Sequence, residues 1–339
     1  MTIKLITAFV LAFLFATAFG KFYVPWLRRI KAGQEIKENG PAWHMNKSGT
    51  PTMGGVMFIL AAILVCLTVC FEGMLRGEFV NVFIVLFACV FGAIGFLDDW
   101  EKLAKKQNLG LSAKAKFLLQ LVASLVFVLL MRQIGYVRPS FYLFFVDKTI
   151  YMPEWLYFLI SSFIIVGTVN AVNITDGIDG LAASTSIPVF LFFVALTLVF
   201  GDEFEQMGFI ASGMVGGLLG FLVYNFNPAK CFMGDTGSLF LGGMIAALAY
   251  GYNMPIMLIT LGFVFLMETL SDIIQVGYFK LSHGKRVFKM APFHHHLEMG
   301  GWLGHKWKEK EIVALFSGIS LVMAIISFIV VSKHFMGLS

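Results

Sequence analysis

The sequence predicts an all-α fold, a polytopic membrane protein with about ten transmembrane helices and both termini outside the cell. Of its 339 residues, 58% are hydrophobic and only 13% are charged, and the mean hydropathy is +0.83. An ordinary soluble domain carries about 25% charged residues, so these values exclude a soluble enzyme, a disordered chain and a coiled coil. We expect residues 1–339 to form a single integral membrane domain.

Ten apolar runs supply the predicted spans, each of which needs roughly 20 residues. They cover residues 3–24, 54–75, 79–98, 115–135, 154–173, 181–200, 206–224, 236–251, 255–279 and 311–332. The eighth is short for a span. The ninth contains Glu268 and Asp272, so it cannot face lipid on every side.

An even number of spans places both termini on the same side of the membrane, and the basic residues decide which side. Nineteen of the 25 lysines and arginines fall in or beside one set of loops. The positive-inside rule places that set in the cytoplasm. The predicted cytoplasmic loops cover about residues 25–53, 99–114, 174–180, 225–235 and 280–310.

Five aspartates gather at the predicted cytoplasmic ends of the spans: Asp98, Asp99, Asp176, Asp179 and Asp235. A carboxylate costs about 2.5–3.5 kcal/mol at the centre of a membrane helix and less near the interface. Five of them from three separate loops need a common purpose. The pattern indicates one site that binds cations or moves protons.

Two of these acidic segments have features of a site that binds a metal ion together with phosphate. In the Asp98-Asp99 pair, one carboxylate can ligate Mg²⁺ or take a proton while the other forms hydrogen bonds with the surrounding protein. A solvated helix end is the alternative. Asp235 lies between two nearby glycines where a helix is predicted to begin, and helix N-termini attract phosphate. A carboxylate there repels phosphate unless a divalent ion lies between them. The combination favours a diphosphate bridged by Mg²⁺, which makes Asp235 the candidate metal ligand and Mg²⁺ the candidate cofactor; an aspartate that only caps the helix is the alternative.

Polar side chains recur at every third position before the sixth predicted span, at Asn170, Asn173, Asp176 and Asp179. That spacing keeps them roughly on one side of a helical or 3₁₀ segment. They are candidate ligands of a substrate, and a polar helix cap with turn glycines is the alternative.

Three consecutive histidines, His294, His295 and His296, lie in the longest basic loop. Adjacent side chains on a helix diverge, so the triplet lacks the spacing of a zinc site. Imidazoles there can bind phosphate or steady a carboxylate. Chance histidines in a loop are the alternative.

Two further segments carry weaker signals. Lys47 and Thr52 belong to a stretch of one cation, hydroxyls and turn residues before the second span, which a capped helix entry would also show. Glu268, Asp272 and Gln275 share one helix face. That stripe indicates either a functional site within the membrane or a buried structural network.

Five segments, in this order, resemble the phospho-N-acetylmuramoyl-pentapeptide transferases (MraY, translocase I) of the polyprenyl-phosphate N-acetylhexosamine-1-phosphate transferase superfamily. They are KSGTPTMGG at 47–55, FLDDW at 96–100, NAVNITDGIDGLA at 170–182, FMGDTGS at 232–238 and PFHHHLE at 292–298. The resemblance runs from about residue 45 to 300. It implies a homodimer of ten-helix subunits with a cytoplasmic cleft.

The resemblance also implies a reaction. Phospho-MurNAc-pentapeptide moves from UDP-MurNAc-pentapeptide to undecaprenyl phosphate, which gives lipid I and UMP for peptidoglycan synthesis, and Mg²⁺ is required. The implied location is the bacterial inner (plasma) membrane, with a multi-pass chain in the lipid bilayer and a cytoplasmic active site. No nucleic acid partner is expected.

The family's functional residues carry over onto matching positions. The implied catalytic residues are Asp98, Asp99, Asp235 and His294, with Asp98 the candidate base for the lipid phosphate. The implied substrate-binding residues are Lys47, Thr52, Lys106, Lys114, Asn170, Asn173, Asp176, Asp179, Asn225, Phe232, Gln275, His295 and His296. Phe232 is expected to stack on uracil. A phosphate has a second pKa of about 6, so Asp98 as an orienting group stays open, as does a reaction in one step or two.

Three other functions compete with this one. A sister enzyme that transfers GlcNAc-1-phosphate to the same lipid shares the aspartate pattern, but the histidine triplet and the segment at 47–55 favour the muramoyl branch. A transporter or channel predicts carboxylates near the midplane and broken helices in both halves. A purely structural scaffold has no use for five aspartates at one face.

Overall fold

The computed structural model describes residues 1–30, 32, 47, 49–105, 107, 109–201 and 204–336, with side chains as far as residue 333. Its helices are α1 (Thr2–Arg29), α2 (Val56–Thr68), α3 (Phe71–Leu75), α4 (Val80–Lys105), α5 (Ala113–Gln133), α6 (Glu154–Thr175), α7 (Leu181–Phe200), α8 (Glu205–Asn225), α9 (Gly234–Gly251), α10 (Leu258–Leu261), α11 (Phe263–Leu281), α12 (Phe293–Glu298) and α13 (Glu309–Met336). A 3₁₀ turn, Pro255–Met257, precedes α10. Two antiparallel strands that were not predicted, β1 (Ser140–Leu143) and β2 (Lys148–Tyr151), form a hairpin between α5 and α6.

The predicted class, an all-α polytopic membrane protein, is confirmed. Within the described part of the chain, seven helices are long and apolar enough to cross a membrane: α1, α4, α5, α6, α7, α8 and α13. The segment from the 3₁₀ turn through α11 makes an eighth if its two bent parts form one span. The shorter α2 and the less apolar α9 lie where the other two spans are predicted. The count of ten and the external termini stay predictions.

Two predicted spans are interrupted. The run 54–75 is two helices, because α2 closes with a wide turn in which the Cys70 N–H donates to the Val65 carbonyl. The run 255–279 breaks at Gly262, and the parts on either side are bent by 79°. Glycine is a poor helix former, which allows the break. The hydropathy of the sequence alone does not reveal either interruption.

Several helices extend into the predicted loops, whose bounds stay predictions. The helix of the third span continues to Lys105, so Asp98 and Asp99 lie inside α4. The first helix extends to Arg29, and most of the predicted loop 25–53 lies outside the described residues. The loop 280–310 contains the short helix α12.

The helix α9 forms the centre of the fold. Every residue from Thr236 to Gly251 is buried, and α4 and α6 pack along it. A helix surrounded by protein does not need an apolar surface on all sides, so α9 can begin with acidic and hydroxyl residues. Its N-terminal end meets the C-terminal ends of α4 and α6, and the functional residues gather there.

Candidate active site

Three carboxylates meet where α4 and α9 approach each other. Asp98, Asp99 and Asp235 each place one oxygen within 4.8 Å of the others. Asp98 and Asp99 are buried, and Asp235 is partly exposed. We call these three residues the carboxylate cluster. The structure thus brings together the two acidic segments that the sequence singled out.

Glycines allow this close approach of the two helices. A Cβ atom on Gly95 would lie 2.1 Å from the Asp235 carbonyl oxygen, so no larger residue fits between α4 and the start of α9. Gly234 has a φ of +70°, a left-handed conformation that favours glycine. A Cβ atom there would lie 2.5 Å from Asp99 Oδ2.

Asp99 is fixed in place by the first turn of α9. Its Oδ2 accepts hydrogen bonds from the Thr236 backbone N–H at 2.9 Å and from the Thr236 hydroxyl at 2.7 Å. Its Oδ1 accepts from the Asp235 N–H at 3.2 Å. Carboxylates are stabilising at helix N-termini, where backbone N–H groups lack partners. Asp99 therefore holds the start of α9 against α4.

Two lysines pair with the cluster, and neither was predicted from the sequence. Lys102 Nζ lies 2.6 Å from Asp98 Oδ2 and 2.9 Å from Asp235 Oδ2. Lys116 Nζ lies 2.8 Å from Asp235 Oδ2. The spacing of four between Asp98 and Lys102 on one helix was an available signal. The predicted Lys114 is exposed instead.

The other predicted lysine of this region, Lys106, lies outside the described residues.

The predicted row of polar residues divides between two partners. Asn173 Nδ2 donates to Asp235 Oδ1 at 2.8 Å and to the Ser238 hydroxyl at 2.7 Å, so it belongs to the carboxylate cluster's surroundings. Asn170 instead donates to Gln120 Oε1 on α5 at 2.6 Å. Asn170 therefore braces α6 against α5 and does not reach the cluster's oxygens.

Asp176 follows the last residue of α6 and is partly buried. Burial raises the pKa of its carboxyl well above the ordinary value, and the negative charges of Asp235, Asp99 and Asp179 raise it further. No hydrogen bond to its side chain occurs within the described ranges. Asp176 is thus an acidic group beside the cluster that a ligand can still reach.

Asp179 is held in an ion-pair network at the next turn of this loop. Its Oδ1 lies 2.7 Å from Lys47 Nζ, and its Oδ2 accepts from Asn227 Nδ2 at 3.1 Å and from the Ala229 N–H at 2.9 Å. Lys47 also pairs with Glu309 at 2.6 Å, and Glu309 was not among the predicted site residues. The structure therefore places Lys47 and Asp179 in contacts that join four segments distant in the sequence.

Asn225 and Phe232 shape the loop that leads into α9. The Asn225 side chain is buried; its Oδ1 accepts from the Gly180 N–H at 3.1 Å, and its Nδ2 donates to the Cys231 carbonyl at 2.9 Å. The Phe232 backbone pairs with the segment before α2, accepting from the Gly54 N–H at 2.8 Å. Phe232 is only partly buried, so a ligand can still reach this residue.

Thr52 lies next to Gly234, at the start of α9. It is buried, and its hydroxyl has no hydrogen-bond partner among the residues described. A Cβ atom on Gly234 would lie 2.6 Å from that hydroxyl. The structure thus places Thr52 against the backbone at the start of α9.

Each of the three histidines contacts a different group. His294 Nδ1 lies 3.0 Å from Glu268 Oε2, and His295 Nδ1 lies 2.6 Å from Glu298 Oε2. His296 Nδ1 accepts from the backbone N–H of residue 289 at 3.1 Å. Burial and the positive charge of Lys289 lower the pKa of His296 below its ordinary value.

Gln275 does not reach the cluster. Its Oε1 accepts from the backbone N–H groups of Val287 and Phe288 at 3.1 and 3.0 Å, and its Nε2 donates to the Phe288 carbonyl at 3.1 Å. It holds the loop before α12 against α11. Of the predicted helix stripe, Glu268 is buried against His294, whereas Gln275 is only partly buried.

The sequence is similar to known proteins. The family model described as Glycosyl transferase family 4 matches residues 81–253, and signature 1 of phospho-N-acetylmuramoyl-pentapeptide-transferase matches residues 47–59. The proteins of that name from Listeria monocytogenes serotype 4b and Clostridium acetobutylicum are 42% and 41% identical over 328 and 327 residues. Each alignment covers 96% of this chain and 98% of the relative. The chain belongs to the phospho-N-acetylmuramoyl-pentapeptide-transferase family.

A third member of the family, from Geobacillus thermodenitrificans, is 41% identical over 324 residues, 95% of this chain and 96% of its own length. The glycosyl transferase model spans the whole carboxylate cluster and both lysines that neutralise it. The signature spans Lys47 and Thr52. The resemblance stated from five short motifs is therefore confirmed over the full length of the chain.

Proposed function

We propose that the protein transfers phospho-MurNAc-pentapeptide from UDP-MurNAc-pentapeptide to undecaprenyl phosphate, giving lipid I and UMP in peptidoglycan synthesis. The observation that carries the proposal is the convergence of three carboxylates with Lys102 and Lys116 at the meeting point of three helices. The names of the curated relatives support the same reaction.

The charges of the site suit the charges of the reactants. Both the lipid phosphate and the sugar-nucleotide diphosphate are anions that repel each other. Positioning and charge neutralisation carry most of such a phosphoryl transfer. Lys102 and Lys116 point their ammonium groups into the space between Asp98 and Asp235. The same groups can turn toward phosphate oxygens when substrates bind.

The carboxylate cluster also suits a magnesium ion. Lys102 Nζ lies between an oxygen of Asp98 and an oxygen of Asp235, at 2.6 and 2.9 Å, so these oxygens can bind a cation. Mg²⁺ prefers carboxylate oxygens together with substrate phosphates. Asp235 would hold the ion, with Asp98 beside it, because Asp99 is engaged by Thr236. When bound, Mg²⁺ neutralises the diphosphate and stabilises the UMP leaving group.

The transfer balances without another reactant. An oxygen of undecaprenyl phosphate forms a bond to the sugar-bearing phosphorus, and the bond from that phosphorus to the oxygen of UMP breaks. Asp98 orients the attacking phosphate and accepts its remaining proton; a phosphate second pKa is about 6, so little of the lipid phosphate carries that proton at pH 7. Asp98 is buried within α4 and bonded through its other oxygen to the Leu111 N–H at 2.9 Å, which fixes its direction.

The remaining predicted ligands fall into two groups: residues that a substrate can touch, and residues that hold the protein around the site. Asp176, Phe232 and Lys114 have surface that a nucleotide or phosphate can touch. Asn170 and Asn225 are engaged in hydrogen bonds within the protein, so they shape the site from behind. We place the site on the cytoplasmic side of the bacterial plasma membrane, where a soluble nucleotide substrate is available, and we expect a homodimer.

The test is an assay of the purified protein in nanodiscs with undecaprenyl phosphate and either UDP-MurNAc-pentapeptide or UDP-GlcNAc. We expect lipid I and UMP from the first substrate, complete loss with a chelator and recovery with added Mg²⁺. Transfer from UDP-GlcNAc alone would assign the protein to the sister reaction. No transfer from either substrate would overturn the proposal.

A further inference from the structure

A buried glutamate holds the first histidine of the triplet in one orientation. Glu268 lies on α11, beyond the bend at Gly262, and His294 lies in the first turn of α12. Both residues have 0% of their surface exposed. Glu268 Oε2 is 3.0 Å from His294 Nδ1, and Glu268 Oε1 accepts from the His294 backbone N–H at 3.2 Å.

This contact determines which ring nitrogen carries the proton. A carboxylate only accepts hydrogen bonds, whereas a neutral imidazole has one donor nitrogen and one acceptor nitrogen. Because Nδ1 faces the Glu268 carboxylate, Nδ1 is the donor. His294 Nε2 therefore presents a lone pair.

The lone pair of Nε2 faces the loop beside the carboxylate cluster. A Cβ atom on Gly177 would lie 2.3 Å from His294 Nε2, so this nitrogen lies directly against the residue that follows Asp176. Nε2 is buried and has no hydrogen-bond partner in the described part of the protein. A buried polar atom without a partner destabilises the fold, and such atoms mark places where a ligand completes the site.

We propose that Glu268 is a positioning residue, which sets the tautomer of His294 so that Nε2 accepts a hydrogen bond from the sugar nucleotide held by the loop at 176–180. The inference rests on the proposed function. A carboxylate behind an imidazole also stabilises the imidazolium if the ring takes up a proton. The bent helix supplies Glu268 from a separate element, so the direction of His294 does not depend on its own short helix.

The isosteric substitution Glu268→Gln separates this role from a merely structural one. Glutamine has the same shape, and its oxygen can still accept from the His294 backbone N–H. Its NH₂ group, however, donates toward Nδ1 and moves the ring proton to Nε2. Packing is preserved and the tautomer is reversed.

The first measurement is NMR of the full chain in nanodiscs with ¹⁵N-labelled histidine rings. Seven histidines are present, and His294 is assigned by its loss in His294→Gln. We expect a proton on Nδ1 in the wild type and on Nε2 in Glu268→Gln. Glu298→Gln removes the partner of His295 in the same short helix, and we expect unchanged His294 signals there. A wild-type proton on Nε2 would overturn the proposal without any need for the variant to fold.

The second measurement is the rate of lipid I formation. A wrong histidine tautomer costs about 10⁴-fold in kcat in serine proteases, and we expect Glu268→Gln to lower kcat by roughly 10²–10⁴-fold, with KM for UDP-MurNAc-pentapeptide and the unfolding temperature little changed. An unchanged kcat would overturn the proposal. A wild-type protein that makes no lipid I would instead overturn the proposed function, while the NMR result would still decide the tautomer.

Discussion

The substitution Gly95→Ala tests how closely α4 and α9 must approach for catalysis. The new Cβ atom would lie 2.1 Å from the Asp235 carbonyl oxygen, whereas ordinary contact begins at 3.4 Å. The two helices must therefore separate by about 1.3 Å (3.4 minus 2.1). Overpacking of this kind costs about 1–3 kcal/mol of stability. A displacement of about 1 Å between reacting groups can cost roughly 10²-fold in rate.

The assay compares Gly95→Ala with Gly92→Ala, which lies one turn earlier on α4. A Cβ atom on Gly92 would lie 3.3 Å from the nearest atom, the Cβ of Phe240, so that variant needs almost no movement. We expect lipid I formation to fall about 10²-fold in Gly95→Ala and to stay near the wild-type rate in Gly92→Ala. The unfolding temperature of each variant is measured first, so that the rates are compared between folded proteins. Equal rates for the two variants would refute the claim that the spacing of the cluster controls turnover.

Three further predictions concern the charges of the site. Lys102→Gln should lower kcat at least about tenfold, because positioned charges stabilise the transition state of this reaction. The control, Lys105→Gln, removes an exposed ion pair with Glu101 and should keep the wild-type rate. Equal losses in the two variants would contradict the role assigned to Lys102. Asp235→Asn should abolish turnover and the rise in unfolding temperature that Mg²⁺ gives the wild type, by binding linkage. Asp176 has a pKa raised above 3.8 by burial, so its contribution to stability is present at low pH and is lost as pH rises. Asp176→Asn should therefore unfold at a higher temperature than the wild type at pH 7 and lose stability less between pH 4 and pH 7.

Composition and hydropathy were sufficient for the class of the fold but not for the ends of its helices. Asp98 and Asp99 seemed to mark the end of a span because charges are costly in a membrane. In the fold, Lys102 lies one turn further along the same helix and pairs with Asp98, so the helix continues. A charge is tolerated wherever a partner neutralises it, and the partner can come from another helix, as Lys116 does.

The spacing within one chain segment predicted a row of polar residues but not the partner that each residue contacts. A step of three residues on an α-helix turns by about 300°, so a row with this spacing drifts around the helix. Asn170 consequently faces Gln120, and Asn173 faces Asp235. Contacts between distant segments were not predictable from one sequence. Glu309 reaches the N–H of Asp179 across 130 residues.

We propose that a divalent ion held by the carboxylate cluster brings the two negatively charged reactants together. Anomalous diffraction from crystals grown with Mn²⁺ in place of Mg²⁺ tests it directly. We expect one strong peak at bonding distance, about 2.0–2.2 Å, from an Asp235 oxygen, and no peak in Asp235→Asn crystals. A peak elsewhere, or full occupancy in the variant, would contradict the account.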